Sequence, residues 1–296
     1  MILNYIVKDE DITETINSIL KNKLNMSTRL INKLIKLKSI ELNNKLIDTR
    51  MFPARNDILK INFNYEEDNS NIVPTKMKLN IVYEDEWILV IDKPANIPVH
   101  PSRSHFSDSL SNGVKFYFDS INLHKKIRPV NRLDIDTSGL VIFAKCEYIQ
   151  ECFSIQMKEQ VFKKTYLCLV HGILERKAGT ISLPISRKPD SIIERCINTD
   201  GKPSTTIYKV LKEFNTYSLV ECKLKTGRTH QIRVHMAEIG HPLIGDTLYG
   251  FSNSQSPFIT RQALHSYTIE CIHPIYNTIL QFKSNLPKDI SNLCNI

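Results

Sequence analysis

The sequence predicts an α+β protein, with a mixed, mainly antiparallel sheet domain preceded by a small helix-plus-hairpin domain. Three observations predict it. Beyond residue 80, short strand-like runs outnumber helical ones and follow one another as hairpins do. Before residue 65, one helical repeat, a turn pair and an alternating run form a separate unit. Between them, residues 65–79 are polar, open with Glu66-Glu67-Asp68 and contain Pro74, which reads as a linker.

The elements follow in order. Ser27 suits an N-cap, and Leu30, Ile31, Leu34 and Ile35 repeat at helical spacing behind it. Asn43-Asn44 tolerates positive φ and suits a tight hairpin turn. Leu59, Ile61 and Phe63 alternate with Lys60, Asn62 and Asn64 as a half-buried strand does. The small domain therefore spans 12–64 and the large one 80–296. In the latter, Ile81–Tyr83 and Trp87–Ile91 read as strands joined by an acidic turn, 147–160 as a helix and 164–171 as a strand. Val220, Cys222 and Leu224 alternate with Leu219, Glu221 and Lys223 on another strand. A helix beginning near Thr229 carries Ile232, Met236 and Ile239 on one face and stops at Gly240.

Composition limits the function classes. The chain has 296 residues, 42% hydrophobic and 24% charged, which excludes a wholly disordered or fibrous chain. No apolar run approaches the ~20 residues that span a bilayer, and no secretory pattern opens the sequence, so the expectation is a cytoplasmic protein without membrane contact. Seven scattered cysteines lack any Cys-x-x-Cys pair and read as reduced thiols. Neither a Gly-x-Gly-x-x-Gly nor a Walker loop occurs among nine glycines, which argues against nucleotide-driven chemistry. The formal charge of +8 favours a polyanionic partner. Residues 15–40 contain no acidic residue but hold Lys21, Lys23, Arg29, Lys33, Lys36 and Lys38. That run reads either as a solvated helix face or as a set of phosphate contacts.

Three polar clusters can carry chemistry. Residues 128–139, Arg-Pro-Val-Asn-Arg-Leu-Asp-Ile-Asp-Thr-Ser-Gly, run into the apolar strand Leu140–Ala144. Asp134 and Asp136 give the Asp-x-Asp-x-Thr spacing of phosphotransferases, but that chemistry puts the first Asp at the end of an apolar strand, and here the strand follows. The alternatives are a lone Asp nucleophile or base held by arginine, or a satisfied Arg–Asp turn. The second cluster is the strand Lys164–Gly172 with Tyr166 near its start, where a core role competes with a catalytic one. The third, Thr226–Met236, gathers Arg228, His230, Gln231, Arg233 and His235 at a helix start that favours anions. The two histidines are five apart, which does not put both on one helix face for zinc.

Taken together, these motifs resemble the RluA-type pseudouridine synthases. Arg132-Leu133-Asp134-x-x-Thr137-Ser138-Gly139 is similar to the catalytic motif of that family. Asp92-Lys93-Pro94 with Val99-His100-Pro101, the Lys164–Gly172 strand, Thr226–Ala237, Gly240–Gly250 and Ala263-Leu264-His265-Ser266 are similar to its further landmarks. The likeness covers roughly residues 78–290. Residues 12–64 resemble the small RNA-binding module that often precedes this catalytic domain. Two positions depart from the pattern: Asn131 stands where many members have His, and Asn96 where Gly is usual.

The resemblance implies isomerisation of a uridine within structured RNA, without cofactor or metal, by a chain expected to be monomeric. Its partner would be RNA, ribosomal RNA before transfer RNA. It implies Asp134 as the nucleophile, Arg233 as its bidentate partner and Tyr166 as the tyrosine that contacts the target base. Arg132 would fill the space left by the flipped nucleotide or hold its backbone. Arg128, Arg228, Lys93, Arg29, Lys33 and Lys36 are the candidates for phosphate contacts. The alternative is an RNA-binding or ribosome-assembly factor that keeps the fold without turnover.

Overall fold

The computed structural model describes residues 1–251 and 259–294. The small domain comprises β1 (Ile2–Ile6), α1 (Ile16–Asn22), α2 (Thr28–Lys36), β2 (Ile40–Leu42), β3 (Lys45–Leu46) and β4 (Ile58–Asn62). Its sheet runs β1-β4-β2-β3, and β1 pairs with β4 from Ile2 to Ile6. The domain thus begins ten residues before the boundary at 12. The register explains this: Leu3 lies opposite Ile61, and both are buried. Ser27 caps α2, its hydroxyl accepting the Leu30 N–H. Asn43 and Asn44 both take positive φ (51° and 61°) at the β2–β3 turn.

The large domain follows as β5 (Ile81–Glu84), β6 (Ile88–Lys93), α3 (Leu110–Ser120), β7 (Arg128–Pro129), β8 (Ser138–Ala144), α4 (Glu147–Lys158) and β9 (Lys163–His171). Then come β10 (Ala178–Ser182), β11 (Ile185–Arg187), β12 (Arg195–Ile197), β13 (Thr205–Glu213), β14 (Tyr217–Leu224) and α5 (Gln231–Glu238). The chain closes with β15 (Leu264–Ile272), β16 (Ile279–Lys283) and α6 (Lys288–Cys294). The central sheet runs β10-β13-β14-β9-β15-β8-β6-β5, with β16 on β15 and β7 on β8; β11 and β12 form a separate hairpin. The β8–β15 pair is parallel and the remaining pairs are antiparallel, so the expected mixed, mainly antiparallel architecture is what the chain adopts.

Strand alternation sorts the core into layers. In β6 and β8, Ile88, Val90, Leu140 and Ile142 face α4 and the small domain's own core, while Leu89, Ile91, Val141 and Phe143 face α3. In β9, Tyr166, Cys168 and Val170 face α5, and Leu167 and Leu169 face α6. The β14 strand is covered on both faces near its middle, where Leu219 is buried along with Val220 and Cys222. All seven cysteines are free thiols.

Residues 65–79, expected as a linker, lie as a strap across the large domain. Phe63 stacks on Tyr148 at 5.5 Å and meets Trp87 edge-on at 6.0 Å. Tyr65 donates to Glu147 (2.7 Å), and the ammonium groups of Lys33 and Lys125 sit over its ring. The Glu67 side chain is only 4% exposed, and its carboxylate takes both arms of Arg128 (2.7 Å each) and Lys33 (3.0 Å). Lys33 also meets Glu147 at 2.9 Å, and the Ser27 hydroxyl donates to Glu151 at 2.6 Å. Arg128 and Lys33, expected to meet phosphates, are therefore consumed in joining the two domains. A polar segment looks like a linker by composition, but its charges have partners far off in sequence.

Burial alone would push the Glu67 carboxyl up; the bonds from Arg128 and Lys33 outweigh it and hold the group at about 2. A carboxyl depressed in this way contributes stability that is complete above its ordinary value near 4.5 and is lost as pH falls toward 2. Glu67→Gln should cost roughly 3 kcal/mol at pH 7, since it leaves the buried Arg128 cation with only the longer 3.7 Å contact to Glu147. It should also flatten the acid limb of stability against pH. Chemical denaturation of both proteins from pH 7 to 3 measures this. Parallel curves would show that the bridge does not stabilise the docked arrangement.

Candidate active site

Asp134 lies in the loop between β7 and β8, and a backbone turn together with three buried side chains fixes that loop. The Asn131 side-chain amide bridges to β8, its Nδ2 donating to Leu140 O and its Oδ1 accepting from Ile142 N, both at 3.0 Å. The Thr137 N–H closes a turn on Asp134 O at 3.1 Å. Two buried cations hold the residues that follow Asp134. Lys93 donates to Ile135 O (2.8 Å), as well as to Pro94 O (2.9 Å) and Ile97 O (2.7 Å). Arg261 donates to Asp136 O (2.9 Å) and is itself paired with Asp289. Burial pushes the Lys93 ammonium down to about 7. Lys93, expected at the phosphates, is fully buried and serves this loop instead. Asn96, where Gly is usual, takes a φ of 63°, a region that asparagine tolerates better than most residues.

Asp134 opens onto a cleft of about 860 Å³ between the β9–β14 surface and the loop leading into α5. Arg132, Tyr166, Arg228 and Arg233 line the same cleft, so the structure brings five of the expected site residues together. Arg132 and Arg228 are exposed at its edge. Arg29 and Lys36 stay on the exposed face of α2 in the small domain.

Arg233, buried on α5, gives Asp134 a single hydrogen bond of 3.3 Å. Its bidentate grip goes elsewhere, to Asp246 at 2.7 and 2.8 Å. This corrects the expected bidentate Asp134–Arg233 pair. The reason is charge burial: the Asp246 carboxylate is fully buried and needs a cation at hydrogen-bonding range, whereas the Asp134 side chain is 24% exposed. Asp246 is set in turn by the N–H groups of Leu248 (3.0 Å) and Tyr249 (3.1 Å). Tyr249 lies beneath the Arg233 guanidinium, 5.1 Å from its ring centre.

Tyr166 faces the cleft from β9. Burial and the charge of Asp134 push its phenol above its ordinary value, so it is a neutral O–H donor at pH 7. His230 stands at the foot of α5 with a φ of 57° and places Nε2 3.9 Å from Asp134. Gln231 and His235 are scaffold. Gln231 accepts from Thr226 and from the Arg228 N–H, and donates to Thr205 O. His235 bonds to Thr206 and to Leu183 O. Among the described residues, no group of three or more His, Cys, Asp or Glu could hold a metal ion.

Asp246, Tyr249 and Arg261 were not singled out as site residues from the sequence, and His230 appeared there only within the Thr226–Met236 cluster. The signal available was the dense spacing of Gly245-Asp246-x-x-Tyr249-Gly250 close behind the Arg233 helix.

A fold of this shape, with an arginine-backed carboxylate and a neutral tyrosine in a basic cleft, defines an enzyme site for a polyanionic substrate. A family model described as RNA pseudouridylate synthase matches residues 87–238, a span holding Asp134, Tyr166 and Arg233. The RNA pseudouridine synthase YjbO of Bacillus subtilis, itself uncharacterized, is 37% identical over 86% of this chain and 89% of its own length. Ribosomal large subunit pseudouridine synthase D of Nitrosomonas europaea is 38% identical over 73% of this chain and 64% of its own. Among solved structures, human RNA pseudouridylate synthase domain containing 1 superposes with a TM-score of 0.58 at 27% identity, covering 70% of this chain and 83% of that one. The chain belongs to the RNA pseudouridylate synthase family. Its reaction class is the isomerisation of uridine in RNA.

Asp246→Asn tests the charge arrangement. It should lower stability by roughly 3 kcal/mol, the usual cost of breaking a buried ion pair. The freed guanidinium would move by a fraction of an ångström, and turnover at saturating RNA should fall about 10- to 100-fold. Denaturant melts and single-turnover rates read the two effects. Unchanged values of both would show that Asp246 is incidental to Arg233.

Proposed function

We propose that the chain converts a uridine of ribosomal RNA to pseudouridine, with the Asp134 carboxylate as nucleophile and no cofactor. The observation that carries this reading is Asp134 itself, a partly exposed carboxylate on a rigid loop that faces a basic cleft and is touched by Arg233. The target base leaves its stack and enters the cleft, because a carboxylate inside a cleft does not reach a base within a helix. Arg233 orients the Asp134 carboxylate through its 3.3 Å hydrogen bond. Tyr166 supplies an O–H beside the base. Arg132, exposed at the edge, takes the place of the extruded nucleotide, and Arg228 meets the backbone. Exposed Arg29 and Lys36 extend the phosphate track onto the small domain. The docked position of that domain supports a large structured RNA as substrate, and relatives named as ribosomal large subunit enzymes agree with it.

Asp134→Asn keeps shape and removes charge. Pseudouridine formation in unmodified ribosomal RNA should fall below detection while RNA affinity changes less than about threefold. Asp136→Asn should be mild, since the Asp136 backbone, not its side chain, is what Arg261 holds. Wild-type activity should survive EDTA treatment while the RNA stays folded. Mass spectrometry after chemical tagging of pseudouridine reads all three. Turnover by Asp134→Asn would sink the assignment, and equal loss from Asp136→Asn would return attention to a paired-carboxylate site.

A second test concerns the small domain. Arg29→Glu with Lys36→Glu should weaken RNA binding. It should also flatten the salt dependence of log affinity by about 0.7–0.9 for each phosphate that the protein no longer neutralises. Titrations across a salt series measure the slope. An unchanged slope would mean that this face is merely solvated.

A further inference from the structure

Among the described residues, the Asp134 carboxylate receives one hydrogen bond, the 3.3 Å contact from Arg233, and Arg233 spends its stronger bonds on Asp246. A reactive carboxylate held by one long bond is free to turn. A further polar group close by is His230, whose Nε2 stands 3.9 Å from the same Asp134 oxygen. Whether that nitrogen presents an N–H or a lone pair depends on what the other ring nitrogen does.

The surroundings of Nδ1 answer this. Nδ1 lies 2.8 Å from the Tyr249 hydroxyl, and the same hydroxyl accepts the Arg195 backbone N–H, also at 2.8 Å. A phenol has one hydrogen. With the Arg195 N–H already pointed at its oxygen, that hydrogen has Nδ1 as an acceptor 2.8 Å away, an arrangement that favours donation to Nδ1. An Nδ1 that accepts leaves the ring hydrogen on Nε2, the nitrogen 3.9 Å from Asp134. The charged groups facing the imidazole are Asp134 and Asp246 on one side of the balance and Arg233 and Arg195 on the other; burial and the two arginines keep it neutral. Tyr249 is edge-on to the His230 ring at 5.6 Å and lies under Arg233, so one side chain touches both neighbours of Asp134.

We propose that Tyr249 and His230 are positioning residues for the reaction: Tyr249 fixes His230 in the Nε2–H tautomer, and that N–H closes on Asp134 when RNA is seated, holding the carboxylate in its attacking orientation. The inference rests on the reading of Asp134 as the reactive carboxylate. It assigns no covalent step to His230.

The test uses the full chain and unmodified large-subunit ribosomal RNA transcribed in vitro, with single-turnover rates at saturation and separate affinity measurements. His230→Ala should lower the saturating rate about 10- to 100-fold and leave affinity within about twofold. His230→Gln places an amide N–H near the position of Nε2–H and should recover most of that loss; His230→Asn, whose amide reaches only the Nδ1 position, should not. Tyr249→Phe removes the hydroxyl alone and should lower the saturating rate with little change in melting temperature. It also serves if a His230 variant fails to fold. Asp134→Asn is run alongside. An inactive Asp134→Asn with an undiminished His230→Ala overturns the relay alone. Equal rates for the Gln, Asn and Ala variants, or a loss confined to affinity, overturn it too. Turnover by Asp134→Asn overturns the reading beneath it and the relay with it.

Discussion

The site depends on one row of backbone. Ser266 of β15 pairs on one side with Tyr166 of β9 and on the other with Gly139 of β8. Three neighbouring strands thus place the tyrosine and the end of the Asp134 loop in fixed register, about 10 Å apart at the standard strand spacing. The row closes because residue 139 has no side chain. A Cβ there would lie 2.2 Å from Ser266 O, and φ is +109°. The Gly of the Thr137-Ser138-Gly139 motif is therefore a requirement of the one parallel pair in the described sheet. Asp134 comes into place as a consequence of that strand crossing.

Around this row the chain uses its cations internally. Lys93, Arg128, Arg233 and Arg261 are all buried. Lys93 and Arg261 hold carbonyls of the Asp134 loop, Arg128 joins the domains, and Arg233 serves Asp246 before Asp134. Each satisfies donors that would otherwise be costly to bury. The net charge of +8 counts them equally with exposed Arg29, Lys36, Arg132 and Arg228. Only the exposed group can meet a phosphate without dismantling the fold.

This explains what was legible in the sequence. Elements that repeat a period were legible: α2 from its Leu30, Ile31, Leu34 stripe, β8 from its apolar run, α4 and β9 from their patterns. So was the grouping of Asp134, Tyr166 and Arg233, which ordered motifs carried. Partners distant in sequence were not. Glu67 and Arg128 are 61 residues apart, and nothing local shows that they share two hydrogen bonds. The β1 strand was missed because its core residues are few and its pairing partner, β4, lies more than fifty residues on. Asp246 was read only within the Gly240–Gly250 stretch, because its guanidinium partner belongs to a different element.

The strap changes what the small domain can contribute. A flexible linker would let the domain capture RNA and release it to the catalytic cleft at an effective concentration set by linker length. Here Tyr65, Glu67 and Asn69 are bonded to the large domain, and Phe63 enters the core shared by both. Arg29 and Lys36 are then held at a set position relative to Asp134. Under the proposed function, phosphates bound by the two domains would have to match that fixed distance. The ordering entropy that a loose domain would lose on binding is already lost on folding. In this arrangement Glu67, which lies outside the Asp134 cleft, maintains the geometry that relates the two domains.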